Sequence, residues 1–349
     1  MQRELGLKEM PLSVKQKIVE FVDSWNKMSL RQCSKEYKDL VANSPTSYQY
    51  LLIQLNAASV EVKLQFDEEK EHSRKVEFQN RGTSTRVVNK SEMWAKTKIE
   101  DDWKLAVEKV VKIFNNPMVY LKDLEIKTIV PLSIHEGLSL FNQGGRFGVI
   151  RPDNREFSER RSQFLNFLGG SLALLPQEIA VKHFTLRFDN DQANVLAILP
   201  HLKPGTLKTI KLGNSMADGT LCNAILTLDL DEVVQLPQWN QAREFHAMRF
   251  AVTTPFSRWS HFKWSNTSGL HLTLETVQEM VEILLQMNTM RGKIDFMDFD
   301  TDQNRAEIMN WLNQVAPEED SRRRIRMPGS DLFLEIKFMC GVVLQFNIV

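Results

Sequence analysis

A six-residue apolar pattern recurs along the chain and constrains its fold more than any other feature. The pattern has the form apolar-x-x-apolar-x-apolar, and looser copies begin at Ala242 and Ile294. Alternation of apolar with other residues is typical of a strand that buries one face, so each copy predicts one strand. The full copies are Leu121, Leu124 and Ile126, then Val181, Phe184 and Leu186, then Leu207, Ile210 and Leu212.

Segments with apolar residues three and four apart lie between the copies and predict helices. They fall at residues 164–168, 195–199, 277–285 and 308–315. Strand followed by helix, at uneven intervals of about 25 to 60 residues, resembles the leucine-rich-repeat proteins, in which each unit buries its apolar side against its neighbours. We therefore expect residues 159–349 to form an irregular α/β array with leucine-rich-repeat character.

Residues 47–158 are predicted to form a strand-rich connector that contains one long helix. Val60, Val62, Leu64 and Phe66 alternate with polar residues, which indicates a half-buried strand within a meander over residues 48–90. The helix is predicted over residues 91–116 and is followed by Pro117. Its apolar face comprises Ile99, Trp103, Val107, Val110, Val111 and Phe114.

The first 46 residues are predicted to form a small helical unit. Pro11 suits the first turn of a helix, and Ser29 is a candidate N-cap for a second helix. The two apolar faces comprise Val14, Ile18, Phe21, Val22 and Trp25, and then Leu30, Cys33, Tyr37, Leu40 and Val41. So short a unit buries little apolar surface by itself, so its apolar side must meet the rest of the chain or a partner.

The charge distribution favours protein partners over nucleic acid. The chain carries 44 basic and 44 acidic residues, and no large block departs from neutrality by more than three charges. A nucleic-acid-binding protein concentrates lysine and arginine on one face, because each phosphate it neutralises releases counterions. The densest basic segment, Arg322 to Arg326, follows Glu318, Glu319 and Asp320, so we expect a surface loop that compensates its own charge.

Several features place the chain in the cytoplasm or nucleus. Its apolar runs are far shorter than the ~20 residues that cross a bilayer. Met1 to Met10 lacks the basic and apolar regions of a signal peptide. Cys33, Cys222 and Cys340 are far apart and odd in number, so they predict neither a disulfide framework nor a metal pair.

No set of residues points to catalysis, a cofactor or a metal. Gly169 to Ala173 resembles a nucleophile elbow but follows a helical pattern, whereas the elbow follows a strand. The glycines at 144, 145 and 148 lack the lysine of a phosphate-binding loop. The aspartates at 295, 298, 300 and 302 lack the glycine and glutamate of a calcium loop. We therefore expect a non-catalytic protein.

Two segments at the N-terminus resemble the F-box. They are Leu7-x-x-Met10-Pro11-x(6)-Ile18-x-x-Phe21 and Ser29-Leu30-Arg31-x-Cys33-Ser34-Lys35-x-Tyr37-x-x-Leu40-Val41. The F-box is a three-helix segment that docks substrate receptors onto a Skp-type linker in cullin-based ubiquitin ligases. Met10 stands where the F-box commonly has leucine, and Ser13 stands where an acidic residue is frequent.

Three segments of the C-terminal half are similar to the FTH domain. They are Ile198-Leu199-Pro200-x-Leu202-Lys203-Pro204-Gly205-Thr206-Leu207-x-x-Ile210, Gln238-Trp239-x-Gln241-Ala242-Arg243 and His261-Phe262. Asn240 replaces the usual basic residue of this motif. The FTH domain occurs in a large nematode family, the F-box A family, where it follows an N-terminal F-box.

Together the resemblances imply an α+β protein made of a three-helix F-box over residues 1–46, the connector, and an FTH-like α/β domain over residues 159–349. They imply a substrate-recognition subunit that binds a Skp-type linker, and through it a cullin, and holds an unknown target protein. No nucleic acid, membrane or cofactor is implied. The alternative is a non-ligase interaction scaffold with a degenerate F-box.

By matching position, the residues implied to bind the linker are Pro11, Ile18, Leu30 and Cys33. Phe21 and Leu40 are instead expected to hold the helices together. Four aromatic residues of the FTH-like region are expected in the core rather than on a binding surface, and no target-binding residue is identified. These aromatic residues are Trp239, Trp259, Phe262 and Trp264.

Overall fold

The computed structural model shows a mixed α+β protein. It describes residues 10–24, 26–27, 30, 34–42, 44–68, 72–129, 155–215, 226–268, 273–286, 293–297, 302–316, 322–339 and 343–349. No helix in these ranges is long and apolar enough to span a membrane.

The α-helices of the described residues are α1 (Leu12–Phe21), α2 (Lys35–Ala42), α3 (Asp102–Phe114), α4 (Arg155–Ala173), α5 (Ala193–Leu196), α6 (Pro237–Gln241), α7 (Leu274–Gln286) and α8 (Asp302–Val315). The strands are β1 (Thr46–Leu55), β2 (Ser59–Gln65), β3 (Ser73–Asn80), β4 (Thr85–Asn89), β5 (Trp94–Lys98), β6 (Val119–Thr128), β7 (Ala180–Phe188), β8 (Thr209–Asn214), β9 (Leu226–Leu228), β10 (Glu244–Met248), β11 (Phe250–Val252), β12 (Trp264–Ser268), β13 (Lys293–Met297), β14 (Arg323–Arg326), β15 (Phe333–Met339) and β16 (Val343–Ile348).

One mixed sheet of fourteen strands organises the described part of the chain. Its order is β14-β15-β16-β13-β12-β10-β8-β7-β6-β1-β2-β3-β4-β5. The strands from β13 to β1 in this order run parallel, and antiparallel strands extend the sheet at both ends. The antiparallel strands β1 to β4 confirm the predicted meander.

The copies of the apolar pattern form neighbouring strands in register. Leu124 of β6 lies opposite Phe184 of β7, which lies opposite Ile210 of β8 and then Phe245 of β10. A second row repeats this arrangement two residues later with Ile126, Leu186, Leu212 and Ala247, and all eight side chains are buried. The prediction of one strand for each full copy is therefore confirmed.

The helices cover the apolar face of the sheet and leave the other face open. Buried side chains of α3, α4, α7 and α8 belong to the same hydrophobic cluster as the apolar rows. Along β2 and β7, buried residues alternate with half-buried ones, as expected for a sheet with one packed face and one solvated face. Strand β12 interrupts the rows with two buried polar residues, Ser265 and Thr267.

The predicted helix over residues 91–116 is shorter than expected. It begins at Asp102, because residues 94–98 pair with β4 as an edge strand. Ile99, which was assigned to the helix face, precedes the helix and is exposed. The C-terminal boundary is close to the prediction, since the helix ends at Phe114.

The N-terminal unit contains helices α1 and α2, and Ser24, Asn26, Lys27 and Leu30 between them are helical as well, so the three-helix arrangement stays a prediction. Helix α2 begins at Lys35. Ser34 is the residue that precedes it, and its Oγ accepts a hydrogen bond of 3.3 Å from the Tyr37 N–H, which is the geometry of an N-cap. Ser29 lies outside the described residues.

Two adjacent glycines of α4 occupy very different surroundings. A Cβ at Gly169 would lie 2.2 Å from the backbone oxygen of Ala197, whereas a Cβ at Gly170 would meet no atom within 4 Å. Gly169 therefore allows close approach between α4 and the segment that follows α5. Because both glycines lie inside a helix, the segment is not a strand-to-helix nucleophile elbow.

We expect Gly169→Ala to lower the free energy of unfolding by about 1–3 kcal/mol, because the added methyl group must displace backbone. Gly170→Ala is the matched control and should raise it by about 0.5–1 kcal/mol, because alanine is the better helix former. Urea denaturation of both variants measures the difference. Equal stability of the two variants would contradict the close approach of the two segments.

Candidate protein-docking surfaces

The two N-terminal helices pack on each other through a small hydrophobic cluster of their own. Val19, Tyr37 and Val41 are buried in it, and Leu30 and Leu40 pack against it. This cluster is separate from the core beneath the sheet. The expectation that Leu40 holds the helices together is therefore confirmed.

Hydrogen bonds connect this helical unit to the rest of the chain. Lys27 Nζ donates to the backbone oxygen of Pro45 at 2.5 Å, and Asn116 Nδ2 donates to that of Ser44 at 3.1 Å. Ser24 Oγ donates to the backbone oxygen of Ser47 at 2.5 Å. Burial lowers the pKa of Lys27, and the nearby carboxylates of Glu20 and Asp23 partly oppose that shift.

One face of α1 carries an apolar row that we call the α1 stripe, formed by Pro11, Val14, Ile18 and Phe21. Steps of three, four and three residues place these side chains on one side of the helix. Val19 faces the neighbouring helix instead. Pro11, Val14 and Phe21 are exposed, and Ile18 is half-buried. The packing of α1 thus leaves an apolar face in solvent.

The residues implied to bind the linker fall into three groups. Pro11 and Ile18 lie on the α1 stripe, Leu30 packs half-buried against the N-terminal cluster, and Cys33 lies outside the described residues. Phe21, which was expected inside the helical unit, is 88% exposed, so that expectation is wrong. The helical spacing of Phe21 from Val14 and Ile18 was the sequence signal that it shares their face of α1.

The open face of the sheet is the second candidate surface. One row crosses five adjacent strands and consists of Asp123, His183, Thr209, Glu244 and Trp264. His183 Nδ1 lies 2.8 Å from Thr209 Oγ1, which donates to Glu244 Oε2 at 2.9 Å. These contacts fix polar side chains on the open face, across three strands.

The next row of the open face, two residues further along β6, contains Glu125, and several polar and charged side chains surround it. Tyr50 donates its hydroxyl to this carboxylate, which also pairs with Lys127 at 3.2 Å and Arg187 at 3.5 Å. Burial raises the pKa of the Tyr50 phenol, and its bond to Glu125 raises it further. The phenol therefore remains a hydrogen-bond donor at neutral pH.

Trp264 lies on the open face and differs from the other aromatic residues of this region. Trp239, Trp259 and Phe262 are buried with Phe245, so the expectation of a core position is confirmed for those three. Trp264 is 42% exposed, and that expectation is wrong for it. Since Ser265 and Thr267 of the same strand are buried, alternation places Trp264 on the opposite face.

His246 and Trp264 form an edge-to-face pair on the open face. Their ring centroids are 5.4 Å apart, and the two residues belong to adjacent strands. His261 Nε2 lies 3.1 Å from the backbone oxygen of Trp239, so this histidine has a structural role. Burial lowers the pKa of both histidines, and the same is true of His183 and His201.

The described residues contain no group of side chains that could hold a metal ion. Of the four crowded aspartates, Asp298 and Asp300 lie outside the described residues, as do the three cysteines and the glycines at 144, 145 and 148.

We expect the free energy of unfolding to fall as pH decreases below about 6.5, the ordinary histidine pKa. In that range the unfolded chain takes up protons that the folded chain does not, because folding lowers the pKa of His246. Lys211→Gln should make the dependence shallower, since the Lys211 charge contributes to that lowering. Urea denaturation between pH 7.5 and 5.5 measures both slopes, and a flat wild-type profile would contradict the expectation.

A comparison with protein-family models matches residues 163–314 to the FTH domain. No curated protein matches the chain. No solved structure matches it either. The matched range contains the three segments similar to this domain, the buried aromatic group around Trp239 and four of the five residues of the row that ends at Trp264. Residues 163–314 are thus an FTH domain within a chain whose sheet extends beyond it on both sides.

Proposed function

We propose that this chain is a substrate-recognition subunit of a Skp–cullin–F-box ubiquitin ligase. The FTH match carries the proposal, because FTH domains are typical of proteins that begin with an F-box. The N-terminal residues supply the F-box resemblance. The chain would contribute no catalysis and would act in the cytoplasm or nucleus, by holding a target protein near the ubiquitin-carrying partner, so its effect is proximity.

The α1 stripe is the surface proposed to dock on the Skp-type linker. Pro11 and Ile18 of the stripe are residues that the F-box resemblance assigns to the linker, and Val14 and Phe21 continue the same face. Binding energy at protein interfaces is concentrated in a few apolar and aromatic anchors. Burying a side chain such as Phe21 is worth about 1.5–3 kcal/mol. Leu30 and Cys33 complete the proposed linker contacts.

The open face of the sheet is the surface proposed to hold the target. It spans several adjacent strands and carries polar side chains held by hydrogen bonds, and extended repeat surfaces commonly bind proteins in this way. Trp264 is the proposed anchor, because it is exposed and tryptophan is one of the residues enriched at interface hot spots.

Phe21→Asp is expected to weaken binding to the Skp-type linker by about 30-fold, the equivalent of a hot spot worth about 2 kcal/mol. Ile99→Asp is the matched control, because Ile99 is also 88% exposed and lies before α3. Calorimetric titration of each purified variant with the linker provides the measurement. The docking assignment fails if Phe21→Asp and Pro11→Ala both bind as the wild type does.

Trp264→Ala is expected to abolish turnover of the target without changing linker binding. Trp94→Ala is the control, because Trp94 is 38% exposed on β5, outside the FTH domain. Quantitative proteomics should show partners whose level rises on proteasome inhibition and whose association depends on Trp264. If both variants retain the same partners, the open face is not anchored at Trp264.

A non-ligase scaffold is the second candidate function. No F-box family model matches the N-terminal residues, which favours a degenerate F-box. Target turnover separates the two functions. Proteasome inhibition raises the level of a bound partner if the chain serves a ligase, and leaves that level unchanged if the chain is a scaffold.

A further inference from the structure

Strand β14 lies at one end of the sheet and, among the described residues, pairs with β15 and with no strand on its outer side. An edge strand presents N–H and C=O groups without a ladder partner, and an extended peptide can add to them as a further strand. The segment that we expected to be a loop is therefore a strand over residues 323–326, and the loop expectation is wrong there.

Three arginines line one face of this edge, and we call Arg322, Arg324 and Arg326 the edge arginines. They alternate along the strand, so their side chains share one face. Their side chains are 51%, 53% and 70% exposed. Arg323 lies between them and is buried on the other face, where it donates to the backbone oxygen of Ala316 at 2.9 Å.

Within the part of the chain that the structure describes, the carboxylates beside the edge arginines are fewer than the cations. Buried Glu335 pairs with Lys337 at 2.7 Å, Arg324 at 3.3 Å and Arg322 at 3.7 Å. Arg326 pairs with exposed Asp331 at 3.3 Å. Among the described residues, four cations thus share two carboxylates, while Glu318, Glu319 and Asp320 of the preceding segment lie outside the described residues.

The edge arginines also keep unused hydrogen-bond donors. Each guanidinium has five N–H donors in a fixed fork, and a single carboxylate shared by three cations cannot accept from all of them. The hydrogen bonds and charge of Lys337, with those of Arg324 and Arg322, lower the pKa of Glu335, so this carboxylate stays ionised and holds the arginines in place. The outward side of the face is therefore rich in donors for a further anion.

We propose that β14 binds an acidic, extended segment of the target protein as an added strand, with alternating carboxylates against the edge arginines. Alternate residues of a strand are about 6.8 Å apart, so carboxylates at every second position match arginines at every second position. This inference deepens the proposed function, because it assigns the chemistry of a segment of the target.

Direct peptide binding to the purified full-length chain tests the proposal. Two labelled peptides of equal charge are compared by fluorescence anisotropy, one with glutamate and valine alternating and one with the same glutamates in a single run. We expect the alternating peptide to bind at least about tenfold more tightly, and to lose affinity with added salt. Equal binding of the two peptides overturns the proposed register.

Replacing all three edge arginines by glutamine should lower affinity for the alternating peptide by at least about tenfold. Arg86→Gln, at an exposed position of β4 near the other end of the sheet, is the matched control and should bind normally. If the triple variant binds as the wild type does and merely self-associates, the arginines protect the edge and the proposal is wrong. Circular dichroism checks that the triple variant is folded.

A peptide N-methylated at alternate amides tests the added strand itself. Methylation of the amides that face β14 should abolish binding, and unchanged affinity overturns strand addition. Tighter binding of a single-stranded oligonucleotide than of the peptide overturns the choice of a protein ligand. Linker binding by the triple variant is a separate measurement, so a failure at β14 leaves the docking of the N-terminal helices to be judged independently.

Discussion

The apolar rows that cross the sheet are the constraint on which the rest of the structure depends. The parallel strands β1, β6, β7, β8 and β10 contribute buried side chains to the same rows, which lie beneath the helices. A slip of one residue would turn these side chains to the open face, so the rows fix the register of every pairing. One such row contains Leu51, Leu124, Phe184, Ile210 and Phe245.

Much of the fold could be predicted from the chain, because strand periodicity is a local property. The full copies of the pattern located β6, β7 and β8, and alternation located the meander. The edge strand β5 was missed, because an edge strand with exposed residues has no apolar alternation to reveal it. The predicted domain boundaries stay a prediction, although β6 and β7 pair across the boundary between residues 158 and 159.

The candidate surfaces were harder to predict than the core, because periodicity shows which side chains share a face and not what covers that face. Helix α1 has two apolar faces, and only tertiary packing decides that Val19 turns inward and Phe21 outward. The exposure of Trp264 was hard to predict for a related reason. Ser265 and Thr267, the buried residues of its strand, are polar, so the sequence shows no apolar alternation there. The helical unit and the sheet thus have separate hydrophobic clusters.

Strand β12 differs from its neighbour β10, because its buried side chains are polar. Its buried Ser265 and Thr267 replace apolar contacts within the rows, and Thr267 Oγ1 has no hydrogen-bond partner among the described residues. A buried hydroxyl of this kind costs about 1–3 kcal/mol. This cost falls on the strand that joins β13 to β10 in the sheet order. The edge that carries the exposed arginines is therefore connected to the apolar rows through a strand whose buried side chains are polar.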